Sequence, residues 1–202
     1  GDILDRGPNS GKVMDLLRHM EDQAAKAGGK VHVLLGNHEA MVMQNDWRYV
    51  HPGEMEAQGG EDAYRREMAP DGKYGSWLLQ KNAVIKINET IFVHGGISPE
   101  FASIPLHRVN DRIREELSVP TKKWEDSYIK NSYGPLWYRG WAELSDDEIR
   151  LLLPGVLKQL NAKRMVIGHT VSKDGIKSRL DGAVVMIDVG MSRAYGGIPA
   201  CL

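Results

Sequence analysis

The feature that most constrains this chain is the repeated pairing of a short apolar run with a loop that carries metal-binding side chains. The four loops are Gly-Asp at 1–2, Gly-Asn-His-Glu at 36–39, His-Gly-Gly at 94–96 and Gly-His at 168–169. Loops at strand ends can hold side chains at fixed separations around a ligand, because the sheet behind them is rigid. The pattern therefore predicts strands that end in a shared ligand site.

The side chains in these loops define the chemistry of that site. They offer carboxylate, amide oxygen and imidazole, a mixture that suits manganese, iron or zinc better than an all-thiolate site would. Two such ions about 3.5–4 Å apart can clamp a phosphoryl group and generate hydroxide between them. The loops therefore point to metal-assisted hydrolysis of a phosphate ester.

Composition excludes several other classes of protein. The 202 residues suffice for one domain over 1–202, and the net charge of −1 gives no basic field for nucleic acid. The only cysteine, Cys201, cannot form an intrachain disulfide. No apolar run is long enough for membrane insertion. A soluble protein of the cytoplasm or the periplasm fits these properties.

Local patterns predict helices and hairpins around the loops. Asn9 or Ser10 can cap a helix that Gly28-Gly29 ends, and its apolar positions are Val13, Leu16, Leu17 and Met20. Residues 107–117 and 145–160 also have a helical pattern. Hairpins are expected with turns at Asn88-Glu89 and Asp181-Gly182. This mixture predicts an α/β sandwich.

The segment from about 46 to 73 breaks the pattern. It is polar, contains glycine and proline, and has charged helical fragments. We interpret it as an insertion over the site, outside the core.

The motifs resemble those of a known family. The Gly-Asp-Ile-Leu-Asp-Arg-Gly at 1–7 and the loops at 36–39 and 94–96 match, in order, three signatures of the phosphoprotein phosphatases. Gly168-His169 falls where that family has its last metal-binding histidine. With Tyr-Gly-Gly at 195–197, the chain most resembles the Shewanella-like phosphatases of bacteria and plants. The resemblance implies a calcineurin-like metallophosphoesterase sandwich of two mixed β-sheets flanked by helices.

The resemblance also implies a ligand set for two divalent ions. Asp2 would bridge both ions, and Asn37, His94 and His169 would complete the second metal site. A single oxygen shared by two cations needs a full negative charge, which suits Asp2. Manganese is the expected metal, with iron or zinc as alternatives. Taken alone, Asn37 could be a helix cap and His169 a buried histidine with hydrogen-bond partners.

The remaining roles concern the phosphate and the leaving group. His38 would donate a proton to the leaving group, and Asp5 would hold its ring and raise its pKa. Arg6 would bind the phosphate in a bidentate manner, with Arg139 and Asn37 as further phosphate-binding residues. Glu39 is expected to stabilise its own loop.

One family motif is absent. The Asp-x-His-Gly that supplies the other ligands of the first metal does not occur in the chain. We expect an N-terminal strand that carries this motif upstream of Gly1.

Three functions agree with the sequence. The first is a phosphatase of phosphoproteins or phosphopeptides that hydrolyses phosphotyrosine and/or phosphoserine and phosphothreonine by direct attack of a metal-bridging hydroxide. The second is a dinucleoside polyphosphate hydrolase, which has similar loops and a Gly-His-Thr like the one at 168–170. The third is a binding module that has lost catalysis.

Overall fold

The computed structural model describes residues 1–119, 126–197 and 199–202 as an α/β fold with a mixed sheet and flanking helices. The strands are β1 (Val84–Ile87), β2 (Thr90–Val93), β3 (Arg164–Ile167), β4 (Lys177–Arg179) and β5 (Val184–Met186). The helices are α1 (Ser10–Lys26), α2 (Asn37–Met43), α3 (Pro52–Ala57), α4 (Glu61–Met68), α5 (Gly75–Leu78), α6 (Leu106–Ser118), α7 (Gly140–Glu143) and α8 (Asp146–Gln159). Short 3-10 turns lie at Leu180–Gly182 and Arg193–Tyr195. The predicted α/β class is confirmed.

The sheet has its parallel strands in the centre. Its order is β1-β2-β3-β5-β4, with β2, β3 and β5 parallel and an antiparallel strand on each side. Val93 pairs with Ile167, which pairs with Met186. These three strands therefore end at the same edge of the sheet, and the loops that follow them begin side by side.

Both predicted hairpins are present because their turn residues accept a left-handed backbone. Asn88 has a φ of 52° between β1 and β2, and Asp181 has a φ of 54° between β4 and β5. Asparagine and aspartate tolerate this conformation because their short polar side chains can hydrogen-bond locally.

The long helices also follow the sequence. Both ends of α6 and of α8 differ by one residue from the predicted ends, and α1 begins at Ser10. A capping box starts α8: the Ser145 hydroxyl accepts the N–H of Glu148 at 3.3 Å, and the Glu148 carboxylate accepts the N–H of Ser145 at 2.8 Å.

The second mixed sheet implied by the resemblance is not formed by the described residues. The strand predicted to end at the loop at 36–39 makes a single bridge, between Leu34 and Asn82, and the N–H of Leu35 donates to the Asn82 carbonyl at 2.9 Å. A ladder requires a neighbouring strand along its length, whereas here the pairing is confined to one point.

Helix α1 presents a different face to the core than its apolar positions predicted. The apolar positions that are exposed are Val13 at 38%, Leu16 at 57% and Met20 at 42%. Met14 is fully buried instead. The Glu21 carboxylate accepts hydrogen bonds from Trp77 Nε1 at 2.8 Å and Lys81 Nζ at 2.6 Å. These polar contacts help fix the rotation of α1, and hydrophobic periodicity does not report them.

The segment from 46 to 73 reaches the interior, so the expectation that it lies outside the core is wrong. It includes α3 and α4, and Tyr64 and Met68 are 0% and 3% exposed within the hydrophobic core. The buried Glu54 carboxylate accepts the N–H of Gly11 at 2.7 Å. Two apolar side chains one helical turn apart are too few to stand out in a polar sequence.

None of the helices in the described ranges combines the length and the apolar character that crossing a bilayer requires.

Candidate active site

Two histidines meet at the shared end of β2 and β3. His94 follows β2, and His169 follows β3 after Gly168. The N–H of Gly168 donates to the His94 carbonyl at 2.8 Å, so the parallel pairing continues past the strands. His94 and His169 are 4% and 8% exposed, and their ring centroids lie 4.9 Å apart. The sheet itself thus brings the two imidazoles together.

Asp2 and Asn37 add two oxygen donors to this pair. The Nε2 atom of His94 lies 2.9 Å from Asn37 Oδ1, 3.1 Å from His169 Nδ1 and 3.2 Å from Asp2 Oδ2. The four side chains predicted as metal ligands come from three loops and the start of α2, and three of them surround the Nε2 atom of the fourth, His94.

The cluster fits a divalent cation. Ligands about 2.0–2.2 Å from one ion lie roughly 3 Å apart, which is the spacing around His94 Nε2. Burial, together with the proximity of His94 and Arg139, lowers the pKa of His169 to about 3, so its ring is neutral with a free lone pair. Burial opposes the charge of Asp2, but the hydrogen bond with His94 lowers the pKa of Asp2 below its usual range. The carboxylate is therefore ionised.

The donor side chains of the described residues suffice for one ion. Within residues 1–119, 126–197 and 199–202, a single group of three acidic, histidine or cysteine side chains can share a cation: Asp2, His94 and His169. The other Asp2 oxygen, Oδ1, accepts the N–H of His38 at 3.1 Å. A second ion that shared Asp2 would need donors beyond those of the described residues.

His38 lies beside the cluster and is arranged to hold a proton. Its Nδ1 is 2.5 Å from Asp5 Oδ2, and both side chains are buried. Its Nε2 is 3.9 Å from Asp2 Oδ2. Burial alone would lower the pKa of His38, but the hydrogen bond to Asp5 and the charges of Asp2 and Asp5 raise it above its ordinary value. With Nδ1–H donated to Asp5, Nε2 is the nitrogen that can release a proton to a ligand.

Glu39 connects the loop at 1–4 to the loop at 36–39. Its fully buried carboxylate accepts four backbone N–H groups, from Asp2 at 2.8 Å, Ile3 at 2.8 Å, Leu4 at 3.2 Å and Gly36 at 2.6 Å. Three of the four donors lie outside the loop that we expected Glu39 to stabilise. Because Asp2 and Asn37 sit in the two connected loops, Glu39 fixes the separation of two donor side chains.

Glu39→Gln is expected to destabilise the protein and weaken its metal affinity. The amide nitrogen of glutamine cannot accept N–H groups, so buried donors lose their partner at a cost of roughly 2–4 kcal/mol. Denaturant unfolding and manganese titration measure the two effects. Glu56→Gln, on an exposed position of α3, is the matched control. Equal stability and equal metal affinity in both variants would contradict this role.

The opening loop has an unusual backbone. Asp2, Asp5 and Arg6 have φ values of 58°, 72° and 60° in the left-handed region, which non-glycine residues rarely adopt. Such conformations cost on the order of 1–3 kcal/mol each and persist only where surrounding contacts enforce them. The bonds from this loop to Glu39, and from the N–H of Arg6 to the Tyr49 carbonyl at 2.9 Å, supply that enforcement.

The two predicted phosphate-binding arginines line the same cavity as the donor cluster, a cleft of about 1380 Å³. Arg139, just before α7, donates through Nη1 to the His169 carbonyl at 3.1 Å and to Thr170 Oγ1 at 2.9 Å. Among the described residues, no carboxylate oxygen lies within 4.0 Å of Arg6. Its guanidinium lies instead over the rings of Tyr49 and Tyr195.

Sequence reasoning missed both tyrosines as site residues. Tyr49 lies in the polar segment from 46 to 73, where nothing in the local pattern distinguishes it. Tyr195 opens the Tyr-Gly-Gly at 195–197, which served only as a mark of family resemblance. Contacts across the cavity reveal both.

Comparison with known proteins agrees with this geometry. The family model of the calcineurin-like phosphoesterases matches residues 1–173. The chain belongs to this family. The family implies divalent metal ions, and the donor cluster of this chain fits one.

Individual relatives place the chain near one group of phosphatases. An uncharacterised protein of Schizosaccharomyces pombe is 39% identical, and the alignment covers 100% of this chain and 63% of the relative. Shewanella-like protein phosphatase 2 of Arabidopsis thaliana is 27% identical, with 100% and 64% covered. Thus the resemblance to Shewanella-like phosphatases is confirmed.

Solved structures give the same result. The cold-active protein tyrosine phosphatase of a psychrophilic Shewanella species superposes with a TM-score of 0.85 at 32% identity, over 98% of this chain and 60% of that one. A point mutant of a cold-active protein tyrosine phosphatase gives 0.86 at 33% identity, over 98% and 60%. The chain therefore spans about three-fifths of the length of these relatives.

Proposed function

We propose that this phosphoesterase is a metal-dependent phosphoprotein phosphatase that hydrolyses phosphomonoesters in phosphopeptides, with phosphotyrosine, phosphoserine or phosphothreonine as the reacting residue. The observation that carries this proposal is the His38–Asp5 pair, which lies next to the donor cluster of Asp2, Asn37, His94 and His169. A proton donor beside a cation site is the arrangement that cleavage of a phosphate ester requires. The tyrosine phosphatase activity named for the Shewanella structures supports the substrate class.

The metal ligands in this proposal are those of the cluster. Asn37, His94, His169 and Asp2 would hold a divalent ion, with manganese as the favoured metal, and the carboxylate of Asp2 would supply the negative charge of the site. Bound divalent ions would neutralise phosphate charge and lower the pKa of the attacking water.

The chain's own groups would then position and protonate the substrate. The guanidiniums of Arg6 and Arg139 bind phosphate oxygens, and a bidentate contact from Arg6 fixes the orientation of the phosphorus. Hydroxide attacks phosphorus as the ester P–O bond breaks. His38 transfers the proton on Nε2 to the departing oxygen, while Asp5 holds the ring through Nδ1.

Direct attack by hydroxide agrees with the position of the single cysteine. Tyrosine hydrolysis through a thiol nucleophile would require a cysteine at the phosphate site. Cys201 is the only one in the sequence, and it is exposed and does not line the cavity. The position of Cys201 therefore supports direct attack by hydroxide over a covalent cysteinyl-phosphate route.

Removal of metal and a comparison of substrates test the proposal. We expect the purified protein to hydrolyse p-nitrophenyl phosphate and phosphopeptides with manganese, to lose this activity on chelation, and to regain it when manganese is restored. Turnover of phosphotyrosine and phosphoserine peptides should exceed that of diadenosine tetraphosphate.

Each alternative function has its own signature in this experiment. Faster turnover of diadenosine tetraphosphate than of any phosphopeptide would identify a dinucleoside polyphosphate hydrolase instead. Phosphopeptide binding without turnover of any substrate, at saturating manganese, would identify a binding module.

A further inference from the structure

The guanidinium of Arg6 lies over two aromatic rings. Its central carbon, Cζ, is 5.0 Å from the ring centroid of Tyr49 and 4.8 Å from that of Tyr195. Both distances are within the roughly 6 Å over which a cation is attracted to an aromatic ring. Tyr49 precedes α3 and Tyr195 ends the 3-10 turn at Arg193–Tyr195, so the two rings reach Arg6 from distant parts of the chain.

Each tyrosine is tied to the site by a further contact. The carbonyl of Tyr49 accepts the N–H of Arg6 at 2.9 Å, so the residue is tied to the opening loop. Tyr195 packs closely on Gly190, where a Cβ would lie 2.6 Å from the Cβ of Tyr195 and the φ is 65°. Only glycine allows this approach without strain. The rings are thus parts of the folded site.

The arrangement leaves Arg6 available to an anion. Its side chain is exposed, it lines the cavity with Asp2 and His38, and no described carboxylate neutralises it. Its Nη2 lies 3.5 Å from His38 Nε2, so the guanidinium reaches the place where the leaving group must be protonated. A ring that stacks on a guanidinium covers a face of its plane, whereas the N–H donors point outward within that plane and stay available to an anion.

We propose that Tyr49 and Tyr195 are positioning residues that hold the guanidinium of Arg6 ready for bidentate contact with the substrate phosphate. The inference rests on the proposed function and adds two residues to its phosphate site. A free arginine loses side-chain freedom when it binds an anion, and a pre-positioned one has lost most of that freedom already. The rings therefore favour phosphate binding without touching the phosphate.

Leucine and phenylalanine substitutions test this role. Tyr49→Leu and Tyr195→Leu should each raise the dissociation constant of inorganic phosphate for the manganese-loaded protein roughly 2–5-fold. The double variant should raise it roughly 10-fold, near the upper end of what ordering one side chain costs. Tyr49→Phe and Tyr195→Phe keep the ring face and should bind phosphate like the wild type. Isothermal titration measures all of these constants.

We call the contact of the Tyr49 and Tyr195 rings with the Arg6 guanidinium the clamp. A double-mutant cycle with Arg6→Ala separates the effect of the clamp on phosphate binding from a general effect on packing. If the rings act through Arg6, leucine at 49 or 195 should hardly change the dissociation constant of phosphate in a protein that already carries Arg6→Ala. With p-nitrophenyl phosphate, the leucine variants should raise KM more than they lower kcat. Tyr133→Leu is the matched control, because Tyr133 is 56% exposed and does not line this cavity.

The outcomes also distinguish this inference from the proposed function. Unchanged phosphate affinity in the folded leucine variants, or equal losses with and without Arg6, would overturn the clamp even in an active phosphatase. Ring-dependent phosphate binding in a protein that hydrolyses no phosphomonoester would support the clamp and contradict the proposed function.

Discussion

Asp2→Asn is expected to abolish turnover while the fold stays intact. The substitution removes the only carboxylate of the donor cluster, and the cluster then has only neutral donors for the cation. We expect activity to fall by more than about 100-fold, the upper end of the cost of losing a residue that merely supports a ligand. Phosphatase kinetics with manganese and metal analysis of the purified variant measure the effect.

The control for this variant is a carboxylate remote from the cluster. Asp22→Asn removes the same charge from an exposed position of α1 and should retain metal and activity. Circular dichroism should be the same for both variants, because Asp2 is not part of the hydrophobic core. Near wild-type turnover in Asp2→Asn with manganese supplied would eliminate the metal mechanism.

His38→Asn is expected to slow alkyl phosphates far more than p-nitrophenyl phosphate. An alkoxide is a strong base and needs a proton as it leaves, so loss of the donor should cost roughly 10²–10⁴-fold. The p-nitrophenolate is a weak base and leaves without that help. Rates for phosphoserine peptide and p-nitrophenyl phosphate, measured side by side, give the ratio.

The same experiment separates a proton donor from a metal ligand. His107→Asn changes an exposed histidine of α6 and should leave both rates unaltered. Metal content of His38→Asn should match the wild type, because His38 lies outside the group of side chains that can share an ion. Equal slowing of both substrates together with loss of metal would make His38 a ligand.

Much of the fold could be predicted because its signals are local. Asn88 and Asp181 mark their turns through backbone preference, and Ser145 with Glu148 forms a capping box that is visible within four residues. The strands β2 and β3 are short apolar runs next to glycine-containing loops. Predictions failed where packing partners are distant, as for the face of α1 that meets Trp77 and Lys81.

For the candidate site, too, some features could be predicted from local signals and others depend on distant contacts. The sequence by itself determined which side chains are available, because Asp2, Asn37, His38, His94 and His169 follow from residue type and loop position. Only the tertiary structure decided that Asp2, Asn37 and His169 surround Nε2 of His94. His94 and His169 meet because the parallel strands before them end at one edge of the sheet.

Two further features were decided by tertiary structure alone. Glu39 connects two loops through N–H groups more than thirty residues away, and Tyr49 and Tyr195 contact Arg6 from opposite parts of the chain. Periodicity and spacing report how a residue relates to its near neighbours. Neither a carboxylate that binds distant N–H groups nor a ring that stacks on a distant cation changes the local sequence pattern. Only the folded chain therefore reveals these contacts.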